Sequence, residues 1–228
     1  METEAPSRHG RQLFPASSNV IVKWVIAVLA VTVVSVVFAA YRGYRSDWWQ
    51  GRNFAPPQPI LFSHHHHTAE LRIDCRVCHN SVETSAFAGM PATETCLSCH
   101  SGVFTDSPML APVIKSAVSN KPIVWNRVYA LPGYVYFNHS IHIAKSIGCT
   151  TCHGDIGAQR LTRKAQPLYM GWCLECHRAP EQFVRLPQDV FSPSAPAKPL
   201  LSDQQRKEIV TRLGIGGKHL TDCTTCHR

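Results

Sequence analysis

The sequence predicts a mainly α and irregular protein with one N-terminal transmembrane helix, and three observations lead there. A single long apolar stretch stands near the N-terminus. All ten cysteines fall into five copies of one short motif. The 188 residues beyond the stretch offer about 38 per motif, too few for a large ordinary core, so short helices around the motifs and little sheet are expected.

Residues 20–40, from Val20 to Ala40, are apolar or small apart from Lys23, Thr32 and Ser35. At about 1.5 Å per residue such a run crosses a bilayer. It exceeds the roughly 7–15 residues of a signal-peptide core, so an uncleaved signal anchor is expected, with cleavage near Ala39 the lesser alternative. The segment 1–19 is then cytoplasmic. Tyr41, Tyr44, Trp48 and Trp49 follow the span and suit an aromatic belt at the outer interface, with ordinary linker aromatics as the bland alternative.

Cys-x-x-Cys-His occurs at Cys75–His79, Cys96–His100, Cys149–His153, Cys173–His177 and Cys223–His227, leaving no thiol over. One copy is weak evidence, since CxxC also suits zinc or a redox disulfide. Five copies, each with its histidine, point to covalent haem. Two sulfurs form thioethers to the macrocycle and the adjoining histidine coordinates iron from the same side. Cys75, Cys78, Cys96, Cys99, Cys149, Cys152, Cys173, Cys176, Cys223 and Cys226 would thus attach five haem c groups. His79, His100, His153, His177 and His227 would supply one axial ligand each. The fold class sharpens to a multihaem cytochrome c domain over residues 41–228.

Charges flanking the span do not orient it, because Arg8, Arg11 and Lys23 are matched by Arg42, Arg45 and Arg52. Covalent haem attachment belongs, in bacteria, to the periplasmic side. A single-pass protein of the bacterial inner membrane with a periplasmic haem domain is therefore expected. The net charge of +8 does not indicate nucleic acid. Five haems add about ten propionate charges, and the basic side chains serve as their partners.

Phe62-Ser-His64-His-His-His67 and Phe137-Asn-His139-Ser-Ile-His142 share the pattern F-x-H-x-x-H, and each precedes two haem motifs. The spacing from histidine pair to motif is seven and six residues, and that between motifs is 16 and 19. This reads as duplication of one unit, giving two-haem modules at 57–100 and 134–178. Histidines at i and i+3 share one side of a helical turn, so His64, His67, His139 and His142 can close the sixth site of four haems. His65 and His66 lack counterparts and are expected to be exposed or bonded to propionates. The tenth ligand is open: Met170, beside Gly171 in Tyr-Met-Gly-Trp-Cys173, is preferred over His219, Met109 and Met90, and packing against porphyrin is its bland alternative.

Residues 123–129 and 134–137, divided by Leu-Pro-Gly, suggest a small hairpin. The strap 179–201 carries Pro180, Pro187, Pro193, Pro196 and Pro199 and is expected to be extended. Its apolar Phe183, Val184, Leu186, Val190 and Phe191 favour a place on a partner's surface over a disordered tether. In the fifth-haem segment 202–228, Ser202 and Gln205 form a capping box that starts a helix over Asp203 to Leu213, stopped at Gly214. The strap sets the fifth motif apart from the other four.

The duplicated F-x-H-x-x-H units resemble class III and triheme cytochromes c, a likeness that implies one histidine pair serving two different haems. The order of one anchor, two such units, Trp125-Asn-Arg-Val through Tyr136-Phe-Asn-His139, Met170-Gly-Trp-Cys-Leu-Glu-Cys-His-Arg178 and a terminal CxxCH-Arg is similar to the pentahaem subunit of alternative complex III. That resemblance implies an electron-transfer subunit of a membrane quinol:electron acceptor oxidoreductase, not catalytic alone. Its implied partners are other membrane and iron–sulfur subunits and a monohaem cytochrome c or oxidase. Tyr129 departs from the pattern, standing where histidine is common after Trp-x-Arg-Val. A single-anchor multihaem quinol dehydrogenase is the alternative, though 34 residues between Ala40 and Cys75 are long for one. A multihaem reductase needs an open iron, which the histidine supply argues against.

Overall fold

The computed structural model describes residues 14, 15 and 17–227. Most of the expected cytoplasmic segment, with Arg8, His9 and Arg11, lies outside the described residues, as does Arg228. The chain divides into two units, Met1–Gln50 and Gly51–Arg228.

The first unit is built on helix α1, Ser17–Tyr44. Its 28 residues span about 42 Å at 1.5 Å per residue, so by length and composition it can cross a membrane. Thr32, the polar residue in mid-helix, donates its hydroxyl to Val28 O at 2.8 Å, which satisfies it within the helix.

The second unit is helical and irregular. In chain order it contains α2 (Cys75–Cys78), α3 (Thr93–His100), α4 (Ala111–Ser119), α5 (His139–Ala144), α6 (Cys149–His153), α7 (Met170–Arg178), α8 (Asp203–Leu213) and α9 (Cys223–Cys226). A π-helical turn, His65–Glu70, precedes α2. Among the described residues no strand forms, and two isolated bridges join Val135 to His227 and Ile147 to Val184.

Each haem motif builds its own short helix, and three of them extend no further than the motif. In α2, Asp74 caps the first turn by accepting from Arg76 N. Gly154 ends α6 with φ 71°. The helix α8 has the expected bounds: Ser202 and Gln205 make both capping-box bonds, and Gly214 closes it in the left-handed region at φ 57°. The helix α4 is an element the sequence reading missed. Pro112 opens it, Asn120 closes it at φ 50°, and it packs on α3 through buried Val113 and a 2.7 Å hydroxyl bond between Thr93 and Ser116.

The expected hairpin does not form. Asn126 is held instead by Gln58 and Pro57, while Tyr136 N donates to Cys226 O, so residues 123–137 spend their hydrogen bonds on distant segments. The strap also differs from expectation, because it is covered by its own chain. Val184 is completely buried and forms a small core with Ile147 and Ile209, flanked by Phe183, Leu186, Leu201 and Leu213. Burying the apolar strap residues at home leaves little of that face for a partner.

Candidate functional site

The two F-x-H-x-x-H segments fold alike, and the reason is the phenylalanine. Phe62 stacks on His67 at 4.4 Å between ring centroids and meets His64 edge-on at 5.0 Å. Phe137 stacks on His142 at 4.5 Å and meets His139 edge-on at 4.8 Å. Each phenylalanine therefore holds two imidazoles steeply inclined to one another, one against its face and one at its edge. In both segments the residue before the first histidine accepts from the Nδ1 of the second. His67 bonds Ser63 O at 2.8 Å and His142 bonds Asn138 O at 2.7 Å.

The other histidines are tethered in the same way. Nδ1 of His79 meets Gly89 O at 2.7 Å, that of His139 meets Ala86 O at 2.8 Å, and that of His177 meets Leu220 O at 2.7 Å. His100 meets Val103 O at 3.1 Å and His227 meets Tyr134 O at 3.2 Å, while His64 pairs with the Thr162 hydroxyl at 3.0 Å. A proton engaged at Nδ1 leaves the Nε2 lone pair for a metal and fixes the ring's direction. Burial, reinforced by neighbouring imidazoles, lowers the pKa of His64 and of His153 to about 4, and burial also lowers that of His142. These rings are therefore neutral, as ligands must be.

Ring separations provide the test of fit to iron. Two imidazoles on opposite faces of one metal, each nitrogen about 2 Å from it, have centroids roughly 6–6.5 Å apart. His67 and His100 lie 6.3 Å apart, His139 and His153 6.4 Å, and His142 and His177 6.2 Å. His79 is near enough to His64 to be one of the neighbours that lower its pKa. Each of these four pairings joins one histidine of an F-x-H-x-x-H segment to one of a CxxCH motif. Among the described residues no three His, Cys, Asp or Glu side chains converge as a metal cage, and imidazole pairs at these separations would suit the two faces of one bound haem. All ten thiols are free for thioether formation. The residues fit haem.

The thiols also report which motifs are neighbours. Burial raises Cys78, with Cys96 next in effect; burial raises Cys173, with Cys226 next. Cys75 and Cys149 share a hydrogen bond that lowers Cys75 and raises Cys149. Cys152 is pushed up to about 12 by burial and then by Cys176 and Cys173. Neighbouring thiols thus link the second motif with the first, the first with the third, the third with the fourth and the fourth with the fifth. The fifth is not set apart: beside Cys173 and Cys226, the 3₁₀ turn Lys218–Thr221 packs on α7 and ties His177 to Leu220.

The remaining candidates are placed but not joined to a partner imidazole. Met170 opens α7 and is 64% exposed, and Met90 and Met109 are similarly exposed. His219 lies in the turn beside Leu220, where Gly217, at φ 109°, brings the backbone against its ring. His65 and His66 both engage Glu70, at 3.1 and 2.5 Å, and His65 also bonds Gly157 O. Tyr129 packs its ring 4.5 Å from His153 and spends its hydroxyl on Ala165 N and Arg163 O, which makes it a wall of the third motif. The two phenylalanines had a signal in the repeated pattern. The carbonyl partners had none, because any residue supplies a carbonyl.

Residues 135–228 match the family model described as cytochrome c7 and related cytochrome c. Over 97 residues the chain is 37% identical to the menaquinone reductase, multiheme cytochrome c subunit, of Nitratidesulfovibrio vulgaris (strain Hildenborough). That match covers 42% of this chain and 45% of the relative, so the chain spans less than half of that protein's length. A mainly helical and irregular unit and this match over residues 135–228 give the chain a multihaem cytochrome c domain, a class whose haem c is covalently bound.

Proposed function

We propose that the chain is the haem-bearing electron-transfer subunit of a membrane quinol:electron acceptor oxidoreductase of the alternative complex III kind, with five covalent haem c groups. The pairing of imidazoles at 6.2–6.4 Å carries the reading. With haem bound, such a pair would occupy both axial positions and would leave no place for a substrate at those sites. When bound, the haems supply one-electron transfer between neighbours. The protein's part is to hold the motifs beside one another, to fix eight of the nine rings through Nδ1, with His153 packed against Tyr129 instead, and to keep the buried imidazoles neutral. The helix α1 anchors the unit, with residues 41–228 on the periplasmic side. Met170 supplies the tenth ligand, from its exposed place one turn before Cys173. Iron–sulfur and membrane subunits carry out quinol chemistry beside it, and a monohaem cytochrome c or oxidase receives the electrons.

The relative's name favours a second reading, in which electrons flow toward menaquinone rather than from a quinol. The two differ in the sign of net flow. Extraction from the native membrane is expected to yield the chain with partner subunits, and that assembly is expected to reduce the haems with a quinol. Faster reduction of a quinone by pre-reduced haems than the reverse reaction would favour the second reading. Quinol oxidation by the isolated chain at the assembly's rate would overturn both.

A further inference from the structure

Arg185 sits between Val184 and Leu186 in the strap, is 1% exposed, and comes to rest on the third haem motif. Its Nη2 donates to the hydroxyls of Thr150, at 2.9 Å, and Thr151, at 3.2 Å, the two residues between Cys149 and Cys152. The same nitrogen donates to Pro196 O at 2.5 Å and Ala197 O at 3.5 Å. Nε is buried without a hydrogen-bond partner. Gly148 makes this position possible, since a Cβ there would stand 2.1 Å from Nε.

Every bonded partner of this cation is neutral. Asp189 favours the charge from a distance, and among the described residues no carboxylate hydrogen-bonds to it. Burial lowers the pKa, but a guanidinium stays protonated at neutral pH. Protein atoms enclose the group. Arg76 in the first motif is the contrast: it is half-exposed and its charge is neutralised by Asp74 at 2.9 and 3.0 Å. A buried cation without a carboxylate costs stability, which hydrogen bonds to neutral groups offset only in part.

We propose that Arg185 is a potential-setting residue of the third haem site, Cys149–His153, and raises that site's reduction potential. The inference rests on reading that motif as a covalent haem site. Reduction of Fe(III) to Fe(II) adds one electron and leaves the site one unit less positive, so a fixed cation favours the reduced form. A unit charge within about 10 Å, at an effective dielectric of about 20, shifts a one-electron equilibrium by tenfold or somewhat more. The third motif lies where the two modules meet through Cys75 and Cys149.

The test is a potentiometric titration of the intact, haem-loaded chain, with the third site followed by haem-methyl resonances assigned through Thr150 and Thr151. Whole-protein mass first establishes that the third site is loaded; a missing haem there would refute the site itself rather than the role of Arg185. Arg185→Gln is expected to move the third site tenfold toward its oxidised form, a fall of about 59 mV, and to leave the others nearly in place. Arg185→Lys is expected to retain the potential. If Arg185→Gln does not assemble, the double variant Arg185→Met with Thr150→Val carries the test, because it removes the charge together with a hydroxyl it would leave unpaired. A tenfold fall supports the proposal, and an unchanged potential overturns it. An unmoved potential in assembled Arg185→Gln, or an equal fall in Arg185→Lys, also overturns it.

Discussion

A histidine becomes a useful ligand here through what its other nitrogen does. His142 has Nδ1 bonded to Asn138 O, a phenylalanine stacked on its face and His177 6.2 Å away, so three separate contacts aim one Nε2. His142→Leu is expected to leave the His177 site with one protein ligand, giving one high-spin haem that binds carbon monoxide when reduced. Visible spectra before and after carbon monoxide check this, and unchanged spectra would remove His142 from the ligand set. Phe137→Ala keeps the ligand and removes its brace. It is expected to preserve haem content while broadening the low-spin resonance of two haems, since Phe137 touches both His139 and His142. For the tenth ligand, near-infrared magnetic circular dichroism of Met170→Leu decides: loss of a thioether-to-iron band supports Met170, and persistence excludes it. The histidines, cysteines and Phe62 and Phe137 were legible because their types and spacing are the chemistry. Thr162, which meets His64 across 98 positions, had no such mark.

Among the elements, those with local causes were readable and those with distant causes were not. The helix α8 has its start, length and stop written in Ser202, Gln205 and Gly214, and the structure keeps all three. Ser202→Ala is expected to cost about 1 kcal/mol, seen as faster hydrogen exchange over Asp203–Leu213. Ile209 is buried against Ile147 and Val184. Ile209→Ala there should cost about 2–5 kcal/mol, seen in thermal unfolding. The strap went the other way. Its prolines rightly excluded a long helix, but its apolar residues were open to two partners, and the chain's own Ile147 and α8 took them. The hairpin failed for a similar reason: turn chemistry at Leu131-Pro132-Gly133 was present, yet Gln58 and Cys226 competed for the backbone groups that pairing needed.

For the whole molecule, the small protein core and the number of free thiols agree that much of the interior must come from cofactor. Six aliphatic side chains are buried among the described residues. Whole-protein mass and a haemochrome assay are expected to give five haems per chain, and replacing both Cys149 and Cys152 with alanine should remove one. A count other than five would revise the number of sites without touching the four imidazole pairings. The sequence by itself determined the cofactor, the repeated modules, nine candidate axial ligands and a helix able to span a membrane, because each depends on residue type at short spacing. Only the tertiary structure decided which imidazole faces which, which motifs are neighbours, and the burial of Arg185 on the third motif. These depend on contacts between residues tens of positions apart, whose free energies are settled by packing and by competition for the same backbone groups.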